Sequence, residues 1–225
     1  MENINEIYTE LIAYNIEHAN NVIKVSLSNI KQIESFKLTN TNIVLFIRDS
    51  VIKGAVEPKS LRLSSHKIDL NLINVTLNAN GWLNLLDSTS FHNLFTMRNI
   101  PNLNSLFDET QSSRLFPITT ITDLKVYNSY MPLLDENCFF MLKILKYIEQ
   151  IEISNCSISQ IKEKLFNKIT FSYLRSLSLA NNRLTRINTF TFAGLNELVM
   201  LDLDDNPIEI IEMGAFDSLK KVSLM

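Results

Sequence analysis

Glycine is scarce in this sequence, and its scarcity excludes two common kinds of nucleotide site. The 225 residues include only 4 glycines, whereas an average protein has about 7%. Gly54, Gly81, Gly194 and Gly214 stand far apart along the chain. Loops that cradle phosphate need several glycines close together, so that the backbone can approach the ligand. The sequence therefore contains neither a dinucleotide-binding fingerprint nor a P-loop.

Cysteine and histidine are also few, which argues against metal and catalytic sites. Cys138 and Cys156 are the only cysteines, too few for a four-cysteine zinc site or a dense disulfide scaffold. His18, His66 and His92 are widely separated, and the sequence has no paired-histidine or G-x-S-x-G motif. We therefore expect no catalytic residue, no metal and no cofactor, and we expect that the chain is not an enzyme.

A large net charge and long apolar runs are missing as well. The formal net charge is -3 at pH 7, which does not favour a nucleic-acid partner or an anionic membrane surface. No stretch approaches the roughly 20 apolar residues of a membrane span. The opening "MENINEIYTELIAYNIEHAN" has acidic residues where a signal peptide has basic ones. We expect no nucleic-acid partner, no membrane segment and no signal peptide within this chain.

What the sequence does contain is a repeat. "LRSLSLANNRLTRINTFTF" begins at Leu174, and "LVMLDLDDNPIEIIEMGAF" repeats its residue types 24 residues later. The same pattern predicts repeats that start at residues 72, 97, 121, 148, 174, 198 and 222. A period of this length is typical of solenoids.

The repeat becomes unclear upstream of residue 72. Candidate copies begin at residues 33 and 61, but Leu61 and Val75 are only 14 residues apart, too few for a full coil. The sequence therefore predicts a degenerate N-terminal region with weak repeats over 1–71 and a repeat solenoid over 72–225.

The spacing within each copy predicts how one coil is built. Alternate residues of a short strand point to opposite faces, so the leucines of L-x-L face inward. Stacked coils place these strands about 4.8 Å apart in a parallel sheet. Asn182 and Asn206 fall where the chain leaves the strand, and a buried carboxamide there can satisfy backbone groups of adjacent coils. One further position of the repeat is Phe in successive copies. This predicts that the rings stack in a column formed by Phe139, Phe166, Phe192 and Phe216.

The block L-x-x-L-x-L-x-x-N-x-L resembles the leucine-rich repeat, most strongly over residues 121–225. About 24 residues per turn, with a Phe five residues after "RLTRI" or "PIEII", resembles the typical animal extracellular class. That class includes Toll-type receptors, Slit, chaoptin and the small matrix proteoglycans. The resemblance implies an α/β solenoid, a leucine-rich repeat horseshoe with a parallel concave sheet and an irregular or short-helical convex side.

Cysteine also has a place in this pattern. Cys156 and, less well, Ser129 stand at the Asn phase, so we expect Cys156 to be buried as a small apolar group. Cys138 falls on another side of its coil. A disulfide needs Cα atoms within about 7 Å, so we expect no bridge between the two cysteines.

The two ends of the sequence lack caps. A new repeat begins at Val222, and the sequence stops at Met225. Natural solenoids seal their ends with a polar capping repeat. We therefore expect this sequence to be a fragment of a longer solenoid, truncated at its C-terminus.

The outward strand residues are the candidate protein-binding site on the concave face. Because the last coil is acidic, the functional interpretation is a strip that binds a partner with a basic patch, with Tyr127 as an anchor. The alternative is a solvated strand face with ordinary charges. The candidate residues are Asp123, Lys125, Tyr127, Gln150, Glu152, Ser176, Ser178, Asp202 and Asp204.

The resemblance implies a non-enzymatic protein–protein interaction module in a cell-surface or matrix receptor or adhesion protein. Two alternatives stay open. One is an intracellular leucine-rich repeat scaffold or adaptor, and the other is an enzyme that carries this solenoid as a targeting module. Asn74 and Asn155 begin Asn-x-Ser/Thr sequons, so they are candidate glycosylation sites if the protein is secreted.

Overall fold

The structure is a computed structural model. The described residues are 7–8, 13–19, 22–28, 35–39, 42–52, 61–64, 67–77, 92–100, 121–135, 138, 147–168 and 171–222. The predictions for Phe139 and for the repeat beyond Val222 lie outside the described residues.

Short strands joined by bends make up the described residues, with a single turn of helix. The strands are β1 (Ile7–Tyr8), β2 (Ala13–Ala19), β3 (Val22–Ser28), β4 (Ser35–Thr39), β5 (Asn42–Ile52), β6 (Leu61–Ser64), β7 (Lys67–Leu77), β8 (His92–Arg98), β9 (Asp123–Tyr127), β10 (Leu133–Leu134), β11 (Gln150–Ser154), β12 (Gln160–Ile161), β13 (Ser176–Ser178), β14 (Arg186–Ile187), β15 (Met200–Asp202) and β16 (Ile210–Ile211). Helix α1 is Leu165–Lys168. The fold is a solenoid built on a parallel sheet with little helix.

Among the described residues, nine strands form the main sheet, in the order β15-β13-β11-β9-β8-β7-β5-β3-β2. Each pair from β3 to β15 is parallel, whereas β2 runs antiparallel to β3 at one edge. Successive parallel strands come from successive coils, as the repeat predicts. The residues in register at one phase are Val25, Leu45, Leu70, Phe95, Leu124, Ile151, Leu177 and Leu201. The number of residues from one strand to the next therefore varies along the chain. The pairing confirms the repeat starts predicted at 121, 148, 174 and 198.

The repeat starts predicted at residues 72 and 97 are wrong by five residues. Met97 pairs with Val126, so it occupies the third apolar position of the motif instead of the first. Leu72 pairs with Met97 and shares the shift. The reason lies three residues further on, where Val75 and Ile100 are fully buried at the Asn phase. Apolar side chains replace the asparagine at these two positions. The sequence pattern was therefore compatible both with the predicted register and with the observed one, which lies five residues earlier.

A second wall of short strands lies in the segments before β2, between the main-sheet strands and after β15. It contains a sheet of β1, β4 and β6 and the parallel pairs β10–β12 and β14–β16. Phe36 pairs with Leu61 in this wall, so the candidate copies at residues 33 and 61 are wrong as main-sheet repeats. Leu61 lies in β6 of the second wall and Val75 lies in β7 of the main sheet, so the 14-residue spacing between them connects the two walls and is not a full coil. The predicted boundary between residues 71 and 72 falls inside β7, which pairs with β5 and β8.

The aromatic column predicted inside the solenoid is present in the coils that the structure describes. The rings of Phe166 and Phe192 stack with centroids 6.3 Å apart, and those of Phe192 and Phe216 stack at 5.8 Å. Phe166 stands in helix α1. Phe166 and Phe192 are fully buried, while Phe216 in the last described coil is 39% exposed. The column therefore fills the interior opposite the main sheet.

Asn182 links two coils at the bend, as predicted. Its Oδ1 accepts hydrogen bonds from the backbone N–H groups of Cys156 at 3.0 Å and Ile158 at 3.2 Å. Its Nδ2 donates to the carbonyls of Ile153 at 2.7 Å and Leu179 at 2.9 Å. The side chain is 6% exposed. One carboxamide thus satisfies backbone groups of both its own coil and the preceding one.

Ser129 and Cys156 occupy the same phase with smaller side chains. Ser129 Oγ accepts a hydrogen bond from the Ile100 N–H at 3.1 Å and donates one to the Tyr127 carbonyl at 3.0 Å. The hydroxyl therefore makes some of the hydrogen bonds that the Asn182 carboxamide makes in its own coil. Cys156 is buried, as predicted. Burial raises the pKa of its thiol to about 11 and that of the Cys138 thiol to about 12. Both thiols are therefore neutral near pH 7 and poor nucleophiles.

An asparagine ladder runs beside this phase, and the sequence analysis did not recognise it. One residue before the Asn phase, the backbone has a φ of 48 to 55° wherever the structure describes this position, at Asp49, Asn74, Asn99, Asn128, Asn155, Asn181 and Asp205. Asn and Asp tolerate this left-handed conformation better than other non-glycine residues. Asn99 Nδ2 donates to Asn74 Oδ1 at 2.6 Å, and Asn74 Nδ2 donates to Asp49 Oδ1 at 2.7 Å. Asn155 Nδ2 donates to Asn128 Oδ1 at 2.8 Å. The ladder thus joins neighbouring coils.

Asn74→Ala is expected to lower the free energy of unfolding by about 1–2 kcal/mol, because alanine is strained at positive φ. Asn74→Gly should cost less, since glycine adopts this conformation freely and loses only the two exposed ladder bonds. Asn71→Ala is the matched control, because Asn71 lies in the same strand outside the positive-φ positions. Chemical denaturation measures all three, and a larger loss for glycine than for alanine would contradict the role given to φ.

Candidate protein-binding face

Eight of the nine residues predicted for the concave face lie on the outward face of the main sheet, and Asp204 lies in the turn that follows β15. Asp123 is in register with Gln150, and Gln150 with Ser176. A second column contains Lys125, Glu152, Ser178 and Asp202. Between them, the apolar residues of β9 and β11 point inward and are buried. We call the surface formed by Asp123, Lys125, Tyr127, Gln150, Glu152, Ser176, Ser178, Asp202 and Asp204 the sheet face.

Tyr127 lies within a cluster of charged side chains. The Arg98 guanidinium carbon is 4.9 Å from the centroid of the Tyr127 ring, a cation–π geometry. Lys125 Nζ lies 3.3 Å from Glu152 Oε2. Burial raises the pKa of the Tyr127 hydroxyl, the Glu152 carboxylate raises it further, and Arg98 opposes both effects. Tyr127 therefore keeps its proton near pH 7, and its hydroxyl is hydrogen-bonded to the Glu152 side chain.

The C-terminal end of the sheet face is acidic, but its aspartates differ in their bonding. Ser178 Oγ donates to Asp202 Oδ2 at 2.8 Å, and the Asp204 N–H donates to Asp202 Oδ1 at 3.0 Å. Both carboxylate oxygens of Asp202 thus hold local structure. Asp204 and Asp205 are exposed. A substitution at Asp204 tests binding more cleanly than one at Asp202, because it leaves these two bonds in place.

Sequence reasoning missed the outward residues of the upstream strands β5, β7 and β8. Their described side chains include Phe46, Arg48, Asn71, Ile73, Thr96 and Arg98. The Arg48 guanidinium carbon is 4.7 Å from the Phe46 ring centroid. Arg48 is in register with Ile73, and Ile73 with Arg98. The ladder residues Asp49, Asn74 and Asn99 directly follow Arg48, Ile73 and Arg98 in the sequence, and this spacing would have revealed the register.

The outward face of the main sheet therefore carries both signs of charge. Arg48 and Arg98 stand on the upstream strands, and Asp202 and Asp204 stand in the last described coil. Because the two groups are separated by several coils, one partner can meet both signs of charge in a defined direction.

The two sequon asparagines both belong to the ladder. Asn74 and Asn155 are exposed, and the Nδ2 of each donates to a side chain of the preceding coil. A glycan attaches to this same nitrogen and leaves it one hydrogen. Glycosylation at these two residues stays a prediction.

Two further searches cover only the described residues. No group of three or more His, Cys, Asp or Glu side chains among them is arranged to hold a metal ion. No helix in this part of the chain combines the length and apolar character needed to cross a membrane.

Comparisons with known proteins agree with this geometry. Residues 172–225 match the family model described as leucine rich repeat. Decorin from Homo sapiens and decorin from Pan troglodytes are each 38% identical over 52 residues, which is 22% of this chain and 14% of the relative. The chain is thus aligned with only a small part of these relatives. The family match shows that residues 172–225 are leucine-rich repeats, and the stacked coils of the parallel sheet, with their Asn and Phe phases, form a solenoid consistent with that repeat.

Proposed function

We propose that this chain is a non-enzymatic interaction module whose sheet face binds a protein ligand, within a cell-surface or matrix receptor or adhesion protein. Leucine-rich repeat chains are typically protein-binding modules without enzymatic activity. The observation that carries the proposal is the register of the sheet face, which joins side chains from four coils into one strip. Such a strip is continuous in space although its residues are distant in sequence.

Tyr127 has the properties of an interface anchor. Tyrosine and arginine are enriched among the residues that dominate binding energy, and Arg98 lies against the Tyr127 ring. The ring is half-buried and packs against Arg98, so ordering it on binding costs little side-chain entropy. The exposed Asp204 and Asp205 would attract a basic patch of the same partner and set its direction.

The similarity to decorin supports an extracellular location. Decorin is an extracellular matrix protein, and it is 38% identical to this chain over 52 residues. This favours a secreted or cell-surface context over an intracellular scaffold. The sequons at Asn74 and Asn155 fit the same context.

The proposal is tested by comparing two tyrosines three residues apart. The labelled full chain is titrated onto cultured cells and onto decellularised matrix, and saturable binding is quantified by fluorescence. Tyr127→Ala is expected to weaken binding at least tenfold, which corresponds to about 1.4 kcal/mol. Asp204→Lys should weaken it as well and make it less dependent on salt.

Tyr130→Ala is the matched control, because Tyr130 is 64% exposed and lies beyond the end of β9. It should bind as the original chain does. Melting temperatures are measured for all variants, so that unfolding is distinguished from lost contact. Equal binding by Tyr127→Ala and Tyr130→Ala would overturn the proposal, and so would the absence of saturable binding to both surfaces.

A further inference from the structure

The second wall of the solenoid has a gap between two neighbouring coils. β10 pairs with β12, and β14 pairs with β16, but the structure gives β12 and β14 no mutual ladder. The two coils touch just before the gap, where the Arg183 N–H donates to the Ile158 carbonyl at 2.7 Å. Just after it, the Asn188 N–H donates to Thr191 Oγ1 at 2.9 Å instead of to a carbonyl of the preceding coil. The facing edges of β12 and β14 are therefore without ladder partners.

A groove of about 450 Å³ lies at this gap, large enough for a small ligand or a few residues of a peptide. We call it the gap groove. Its lining residues carry guanidinium, hydroxyl and amide groups beside one buried isoleucine, and they include no carboxylate. The lining residues are Ser159, Gln160, Ile161, Arg183, Thr185, Arg186, Asn188 and Thr191.

The two arginines of the gap groove differ in how they are engaged. Arg186 Nη1 lies 3.0 Å from Glu212 Oε1. The Thr189 N–H and Arg186 hold the pKa of the Glu212 carboxyl below its usual value, so this ion pair persists near pH 7. The Arg183 guanidinium, by contrast, makes no hydrogen bond or ion pair with any side chain that the structure describes. Arg183 therefore offers a complete set of donors at the mouth of the groove.

We propose that the gap groove binds an acidic peptide segment of a partner protein, with Arg183 holding an Asp or Glu carboxylate. A planar guanidinium matches a carboxylate through two parallel hydrogen bonds. An extended peptide can also use strand edges that lack a ladder partner, and β12 and β14 present such edges here. The groove lies on a different wall from the sheet face, so the proposal does not rest on the proposed function.

The probe is a fluorescent peptide, Gly-Glu-Glu-Glu-Gly, titrated against the full chain while its anisotropy is recorded. We expect saturable binding that the peptide Gly-Gln-Gln-Gln-Gly does not show. Arg183→Gln should weaken binding of the glutamate peptide at least tenfold. Arg183→Lys should weaken it less than Arg183→Gln, because lysine keeps the charge but loses the two-pronged geometry.

Arg175→Gln is the matched control, since Arg175 is an exposed arginine outside the groove lining and loses the same charge. It should leave the affinity unchanged, as should Tyr127→Ala on the sheet face. The proposal is overturned if the glutamate peptide does not bind or if Arg183→Gln and Arg175→Gln behave alike. It is also overturned if a heparin-derived hexasaccharide binds through Arg183 while the glutamate peptide does not.

Discussion

Asn182→Ala is expected to lower the free energy of unfolding by about 2–6 kcal/mol, since each of two buried N–H groups loses its acceptor at about 1–3 kcal/mol. The groups are the N–H of Cys156 and the N–H of Ile158, both in the preceding coil. Alanine is too short to reach them, and the buried site gives water little access. Urea denaturation of the full chain, followed by circular dichroism, measures the loss.

Asn206→Ala is the control for this prediction. Asn206 makes the same kinds of bond one coil later, accepting from the Leu184 N–H at 3.1 Å and donating to the Leu179 and Leu203 carbonyls at 2.9 Å. It is only half-buried, so water can replace some of these bonds. We therefore expect a clearly smaller loss than at Asn182. Equal losses at the two positions would mean that burial does not set the strength of this contact.

Phe192→Ala should cost about 3–5 kcal/mol, the range for deleting a fully buried aromatic side chain. Phe192 is fully buried and stacks on Phe166 on one side and Phe216 on the other. Removing its ring leaves a cavity in the middle of the column, which the two neighbouring rings cannot close without moving their coils. Thermal and urea unfolding of the full chain measure the effect.

Phe216→Ala serves as the comparison, because Phe216 has the same stacking partner but is 39% exposed. Less of the Phe216 side chain is buried, so its removal should lower the free energy of unfolding by much less than the removal of Phe192. If Phe216→Ala destabilised the chain as much as Phe192→Ala, the column would not be the source of the stability.

The sheet face was predictable from sequence because its logic is local. In "DLKVY" and "QIEIS" apolar and polar residues alternate, and alternation alone decides which side chains point outward. The upstream half of the same sheet was not predictable by this route. Val75 and Ile100 stand where Asn182 stands later in the chain, so the marker that fixes the phase was missing.

The sequence by itself determined the repeat, the parallel sheet, the inward and outward residues from residue 121 onward, and the Phe and Asn phases. Only the tertiary structure decided the register upstream, the second wall, the asparagine ladder and the gap between β12 and β14. Each of these depends on which residues of different coils lie side by side. Coil lengths differ along the chain, so contacts between coils follow from stacking and not from any local pattern.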